Sequence, residues 1–117
     1  MIDLQDLQEK MEQAYNQLSE STWKYRAQAM VVAVYGFELE QSKLELYRDG
    51  KVEGKNQTER DASISWQLEE DIYRLQTEKN KEADLYMKLE LNRIRVEHLR
   101  STLRIAEIVY RVNHGSM

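Results

Sequence analysis

Apolar residues recur every seven positions along the first part of this chain. Leu4, Met11, Leu18, Tyr25, Val32, Leu39 and Leu46 form one unbroken column. A seven-residue repeat keeps one side of an α-helix apolar, so the column predicts a single long helix from about residue 3 to about residue 48. No proline interrupts it, and none occurs elsewhere. The companion column, Leu7, Ala14, Ser21, Gln28, Tyr35 and Ser42, is largely small or polar. The seam is therefore narrower than that of a leucine zipper. Asp3, Asp6 and Glu9 place negative charge in the first turns, where the helix dipole is positive.

The pattern fails at Asp49-Gly50-Lys51-Val52-Glu53-Gly54-Lys55-Asn56, which predicts a loop over 49–56. Gly50 is placed to take the left-handed conformation that ends a helix. Asn56 reads as an N-cap, and Glu59 three residues on completes a capping-box-like pattern. A second helix is expected from about residue 57 to about residue 112, with Gly115-Ser116-Met117 frayed. Its seam holds Leu68, Leu75, Leu89, Val96, Leu103 and Tyr110, interrupted by Glu82. The companion positions are Ile64, Leu85, Leu99 and Ala106, with Asp71, Glu78 and Asn92 as polar members. The run Glu78-Lys79-Asn80-Lys81-Glu82 is a stretch where the helix should persist but its apolar seam fails.

Two long helices joined by a short loop read as an all-α, coiled-coil-like antiparallel hairpin in one domain over 1–117. Charge supports this independently. Residues 1–22 carry a net charge of −4 and residues 85–117 a net charge of +3. A hairpin brings these opposite ends together. Further apolar residues lie off the seam at helical spacing: Ala27, Val31, Val34, Phe37 and Leu44 on the first helix, and Leu91, Ile94, Ile105 and Ile108 on the second. One two-helix contact buries one stripe per helix, so this surplus predicts a further interface. A homodimer closing a four-helix bundle is the simplest solution. Val31, Val34, Phe37, Leu44, Leu91, Ile94, Ile105 and Ile108 are its expected contacts. Asn92 on the seam can set register. Gly36, in one column with Ala29, marks either a close helix crossing or a tolerated defect.

Composition narrows the function classes. Charged residues make up 32% of 117, aromatics 9%, and mean hydropathy is −0.78, values suited to long solvated helices. An apolar content of 41% argues against disorder. The absence of cysteine removes disulfides, thiolate metal sites and cysteine nucleophiles, and fits a reducing compartment. The acidic start, Met1-Ile2-Asp3-Leu4-Gln5-Asp6, resembles neither a signal nor a transit peptide, and no run reaches the ~20 apolar residues of a membrane span. A cytoplasmic protein without membrane contact is expected. The net charge of −4 disfavours a general nucleic-acid binder.

Candidate chemistry is sparse. His98 and His114 form no Glu-x-x-His pair of the kind a di-iron bundle needs, so no metal or other cofactor is expected. No Ser/His/Asp arrangement can be assembled, which points away from an enzyme. Asp71, Glu78 and Glu82 project toward the partner seam. They either form an acidic site, or pair with Lys24, Arg26 or a dimer mate, or face water on a rotated helix. The loop has the wrong spacing for a nucleotide P-loop, though Lys51, Lys55 and Arg60 beside a helix start could hold an anion. Arg93, Arg100, Arg104 and Arg111 share one side of the second helix and are the best nucleic-acid candidates, with Glu97 and Glu107 interleaved. The aromatics crowd the loop-proximal half. Trp23 and Trp66 fall outside the main columns and are candidate hot spots for a protein partner.

Gly54-Lys55-Asn56, then Glu59-Arg60, then a long helix closing near Leu99-Arg100-Ser101-Thr102-Leu103 resembles small uncharacterised phage and prophage helical-hairpin proteins of Gram-positive bacteria. The resemblance covers about residues 45–105. It implies a viral accessory role in a bacterial host's cytoplasm. Such a role is either replication and recombination or inhibition of a host factor such as a defence nuclease. The leading expectation is a non-enzymatic interaction protein. The alternative is a nucleic-acid or nucleotide binder using the arginine column or the loop lysines.

Overall fold

The structure, a computed structural model, describes residues 3–114. Among these it contains three helices and no strand: α1 (Leu4–Arg48), α2 (Gln57–Gln67) and α3 (Glu69–His114). The expected fraying of Gly115-Ser116-Met117 lies outside the described residues.

Local sequence sets the helix ends. The Asp3 carboxylate accepts the Gln5 N–H at 3.0 Å, satisfying one of the free donors of the first turn of α1. At the other end Gly50 has φ +69°. The Lys51 N–H bonds the Leu46 carbonyl at 2.9 Å, and the Gly50 N–H bonds the Tyr47 carbonyl at 3.1 Å. This is the paired closure in which a left-handed glycine lets the chain double back onto the last helical carbonyls. Asn56 caps α2 from an extended backbone, its side chain accepting the Glu59 N–H at 2.9 Å. Glu59 returns the bond one residue further out than a standard capping box, accepting the Lys55 N–H at 2.6 Å.

The single second helix expected over 57–112 is two helices. Leu68, at φ −109° and ψ 23°, separates α2 from α3. The Leu68 and Ile72 N–H groups still bond the carbonyls four residues back, so the ladder survives across the break. A regular heptad would carry Asp71 inward, but Asp71 is exposed and Ile72 is half-buried in its place. Ile72 thus joins Ile64, Leu68 and Leu75 on the covered side of this segment, while Leu68 and Leu75 stay in the column that continues to Leu89. The acidic Glu69, Glu70 and Asp71 then occupy the positive first turn of α3.

The chain divides into two compact units, Met1–Tyr25 with Leu85–Met117, and Arg26–Asp84. In the first, cross-helix partners run in opposite directions: Tyr15 meets Arg100, Gln17 meets Arg95, and Tyr25 meets Tyr86. In the second, Gln28 meets Glu78 and Tyr35 meets Arg74. Each unit is therefore a pair of antiparallel segments, as a helical hairpin requires. Met11, Ala14 and Val96 form the core of the first unit, with Leu18 and Leu99 against them and Leu89 and Ala106 also buried. In the second unit Leu39 and Ile64 are buried. Both columns of α1 are buried or half-buried along their whole length. The small and polar companion residues are part of the interface, and Ala14, at 1% exposed, is its tightest point.

Candidate interaction surface

Polar seam residues form one layer in each unit. In the first, Asn92 donates to the Ser21 hydroxyl, with a longer bond to the Gln17 carbonyl at 3.4 Å. In the second, the Gln28 amide donates to the Glu78 carboxylate at 2.6 Å and to its carbonyl at 3.0 Å. Lys81 completes the Glu78 shell at 3.1 Å. The bond from Gln28, then that from Lys81, holds the Glu78 carboxyl below its ordinary pKa. The pairing expected with Lys24 or Arg26 is not made: Lys24 pairs with Glu20 on its own helix. Asp71 points to solvent and Glu82 is half-buried, so the three carboxylates do not converge. Among the described residues no group of three or more His, Cys, Asp or Glu side chains is arranged to hold a metal ion.

The oppositely charged chain ends form no cross-helix ion pair among the described residues. The ion pairs among the described residues are all local, such as Lys10–Asp6 at 3.1 Å, and exposed pairs of this kind contribute little. Arginines instead reach neutral acceptors. Arg95 donates to the Gln17 side chain at 2.9 Å, and Arg100 donates to the Tyr15 hydroxyl at 2.6 Å while lying over the ring. The bond to Tyr15 raises the Arg100 pKa further above its ordinary value.

The proposed nucleic-acid column is thus differentiated. Arg93 is paired with Glu90 at 2.5 Å and Arg100 is held by Tyr15. Arg104 and Arg111 are exposed and make no ion pair among the described residues. In the loop, Lys51 and Lys55 are exposed and Arg60 is half-buried. The adjoining helix start is already filled by the Asn56 side chain and the Glu59 carboxylate, which compete with any anion there.

The dominant surface feature is apolar. Among the described residues seven hydrophobic side chains are buried, whereas nineteen large ones are exposed. All eight residues expected at a further interface are among the exposed set. They divide between the units: Val31, Val34, Phe37 and Leu44 lie on α1 in the second, and Leu91, Ile94, Ile105 and Ile108 on α3 in the first. Their spacing is regular. Trp23, Met30, Val34, Phe37 and Leu44 follow alternating steps of three and four, with Ala27 and Gln41 filling the gaps. On α3 the same alternation runs Met87, Leu91, Ile94, His98, Ser101, Ile105, Ile108, Val112. Both stripes fall on the side of their helix opposite its buried seam, so each helix is two-faced. Met30, Met87 and Val112, at 61–70% exposure, belong to these stripes and escaped the sequence reading, although their three–four spacing was present in it. Trp23 heads the α1 stripe, and Trp66 stands alone on α2 as the most exposed of the large hydrophobic side chains. No helix among the described residues is long and apolar enough to cross a membrane, so a bilayer-spanning role does not account for the stripes. Compared with known proteins, the chain matches no family model, no curated protein and no solved structure.

Proposed function

We propose that this chain is a non-enzymatic interaction protein that binds a macromolecular partner through its two outward apolar stripes. One observation carries the reading: regular stripes of exposed large hydrophobic side chains run along the helix faces opposite the covered seams. At ~25 cal/mol per Å² of apolar area removed from water, covering either stripe would contribute several kcal/mol to association. A homodimer in four-helix form is one way of covering them. The phage-type accessory role, in the cytoplasm of a bacterial host and directed at a host or defence factor, rests on the Gly54-Lys55-Asn56 resemblance alone.

The test compares the native chain with an Ile94→Lys/Ile105→Lys variant and a Val34→Lys/Phe37→Lys variant as bait. Both pairs are exposed, so the helices should persist, and circular dichroism checks that they do. Partners retained by the native chain should be lost from one variant. Identical retention by all three baits overturns the reading.

A nucleic-acid role remains the alternative because Arg104 and Arg111 are exposed on one flank of α3. It requires DNA or RNA retention that collapses between about 50 and 200 mM salt and is abolished by Arg104→Ala/Arg111→Ala.

A further inference from the structure

We infer that the α3 stripe docks on the α3 stripe of a second copy of this chain, antiparallel and in one register. The inference rests on the reading of the stripes as interaction surfaces and says what covers one of them.

Two patterns on α3 lead to it. The first is the stripe itself, which reads the same in both directions. Met87, Leu91 and Ile94 are followed by His98 and Ser101, and then by Ile105, Ile108 and Val112. Three large apolar positions flank two polar central ones on each side. A two-fold axis between His98 and Ser101 puts Met87 against the partner's Val112, Leu91 against the partner's Ile108, and Ile94 against the partner's Ile105. His98 then meets the partner's Ser101, so the two polar positions are matched with each other and not with hydrocarbon. Such self-complementarity is what an isologous contact demands.

The second pattern is charge. Glu90, Glu97, Arg104 and Arg111 follow at intervals of seven along one flank of the stripe. In an antiparallel helix pair, residues on the same flank meet across the axis. The same two-fold that aligns the stripe places Glu90 opposite the partner's Arg111 and Glu97 opposite the partner's Arg104. Symmetry doubles both pairs. The other flank, Lys88, Arg95, Thr102 and Val109, pairs Lys88 with the partner's Val109 and Arg95 with the partner's Thr102, so no like charges meet.

Other alignments fail. Sliding one heptad in one direction sets Arg104 against the partner's Arg104. Sliding in the other sets Glu97 against the partner's Glu97. Like charges placed together select against a wrong register. A parallel pairing uses Glu90 against the partner's Arg95 alone, and Arg95 is already held by Gln17 at 2.9 Å. The antiparallel register uses Glu90, which also pairs with Arg93 on its own helix, together with Glu97, Arg104 and Arg111, none of which has an ion-pair partner among the described residues.

The native chain, free of cysteine, permits a direct test. Leu91→Cys and Ile108→Cys proteins are treated with a short bifunctional maleimide, separately and mixed. The mixture should yield the cross-linked dimer while each alone stays uncross-linked, because like positions lie ~25 Å apart in this register. Sedimentation of the native chain should give twice 14.0 kDa. Glu97→Arg should weaken association by about tenfold or more, and adding Arg104→Glu should restore most of it. Cross-linking of Leu91→Cys with itself, a monomeric native chain, or a double variant no better than Glu97→Arg overturns the proposal. Stripe-dependent partner capture that persists in a monomeric chain would sink the dimer alone and leave the broader interaction reading standing.

Discussion

The two compact units use similar helical segments and hold them together differently. Met1–Tyr25 with Leu85–Met117 contains five of the seven buried hydrophobic residues: Met11, Ala14, Leu89, Val96 and Ala106. Arg26–Asp84 contains two, Leu39 and Ile64, but also the loop, the caps on either side of it and the break at Leu68. The first is a packing structure, in which small residues such as Ala14 let the helices approach. In the second the polar layer carries a charge on Glu78, where the first has neutral Asn92 and Ser21. The spare apolar stripe also changes helix, from α3 in the first unit to α1 in the second. Packing, capping and outward surface are therefore distributed separately along one continuous hairpin sequence.

The sharpest break of this contrast is a core truncation. Leu89→Ala, at a side chain 2% exposed, should cost about 2–5 kcal/mol. Leu39→Ala, 7% exposed in the unit with fewer fully buried side chains, should cost toward the low end of that range. Urea unfolding at fixed protein concentration measures both, and a larger loss at Leu39 would reverse the assignment of the packing unit.

Gly54 tests the capping side. It sits at φ +143°, and an added Cβ would stand 2.7 Å from the Arg60 nitrogen and 2.7 Å from the Glu59 Cβ. Gly54→Ala should therefore cost about 1–3 kcal/mol, detected as an early loss of structure in the loop and α2 by hydrogen exchange. Asn56→Ala should cost about 1 kcal/mol in the same region by removing the bond to the Glu59 N–H. Uniform loss of protection across both units would contradict the division.

Gly36 should move the other way. Nothing lies within 4 Å of a Cβ built there, so it marks no close helix crossing within the chain. Gly36→Ala should raise stability by up to about 1 kcal/mol, read from the urea midpoint, by removing a flexible residue from a helix interior. A loss would mean that another chain approaches this backbone.

The smallest effect is one of pH. Because the folded state lowers the Glu78 pKa from 4.5, its contribution is fully present above about pH 4.5 and disappears as pH falls through the folded-state value. The native chain should lose stability more steeply below that point than Glu78→Gln does. Equal pH slopes would show that the Gln28–Glu78 layer does not distinguish the second unit.

Much of this architecture is legible in sequence because its causes are local. The heptad columns of α1, the left-handed Gly50 and the Asn56 cap each depend on residues within one or two helical turns. Leu68 is different. No heptad position marks its departure from helix, and the exchange of exposed Asp71 for half-buried Ile72 shows only when another helix lies alongside. Gly54 was visible only as part of the Gly54-Lys55-Asn56 turn, and the reason it must be glycine appears once the first turn of α2 lies against it. Opposite charge at the chain ends correctly indicated antiparallel segments, but Arg95 and Arg100 bond Gln17 and Tyr15, choices made by side-chain reach across a particular interface.

Periodicity alone therefore determined that this chain forms long two-faced helices with turns at known places, because period and capping are properties of the local backbone. It also named the buried columns; tertiary structure decided which polar residues share a layer, that Ile72 is covered in place of Asp71, and where the second helix breaks. Those outcomes depend on which side chains from distant positions meet, and on the apolar surface left over once they have.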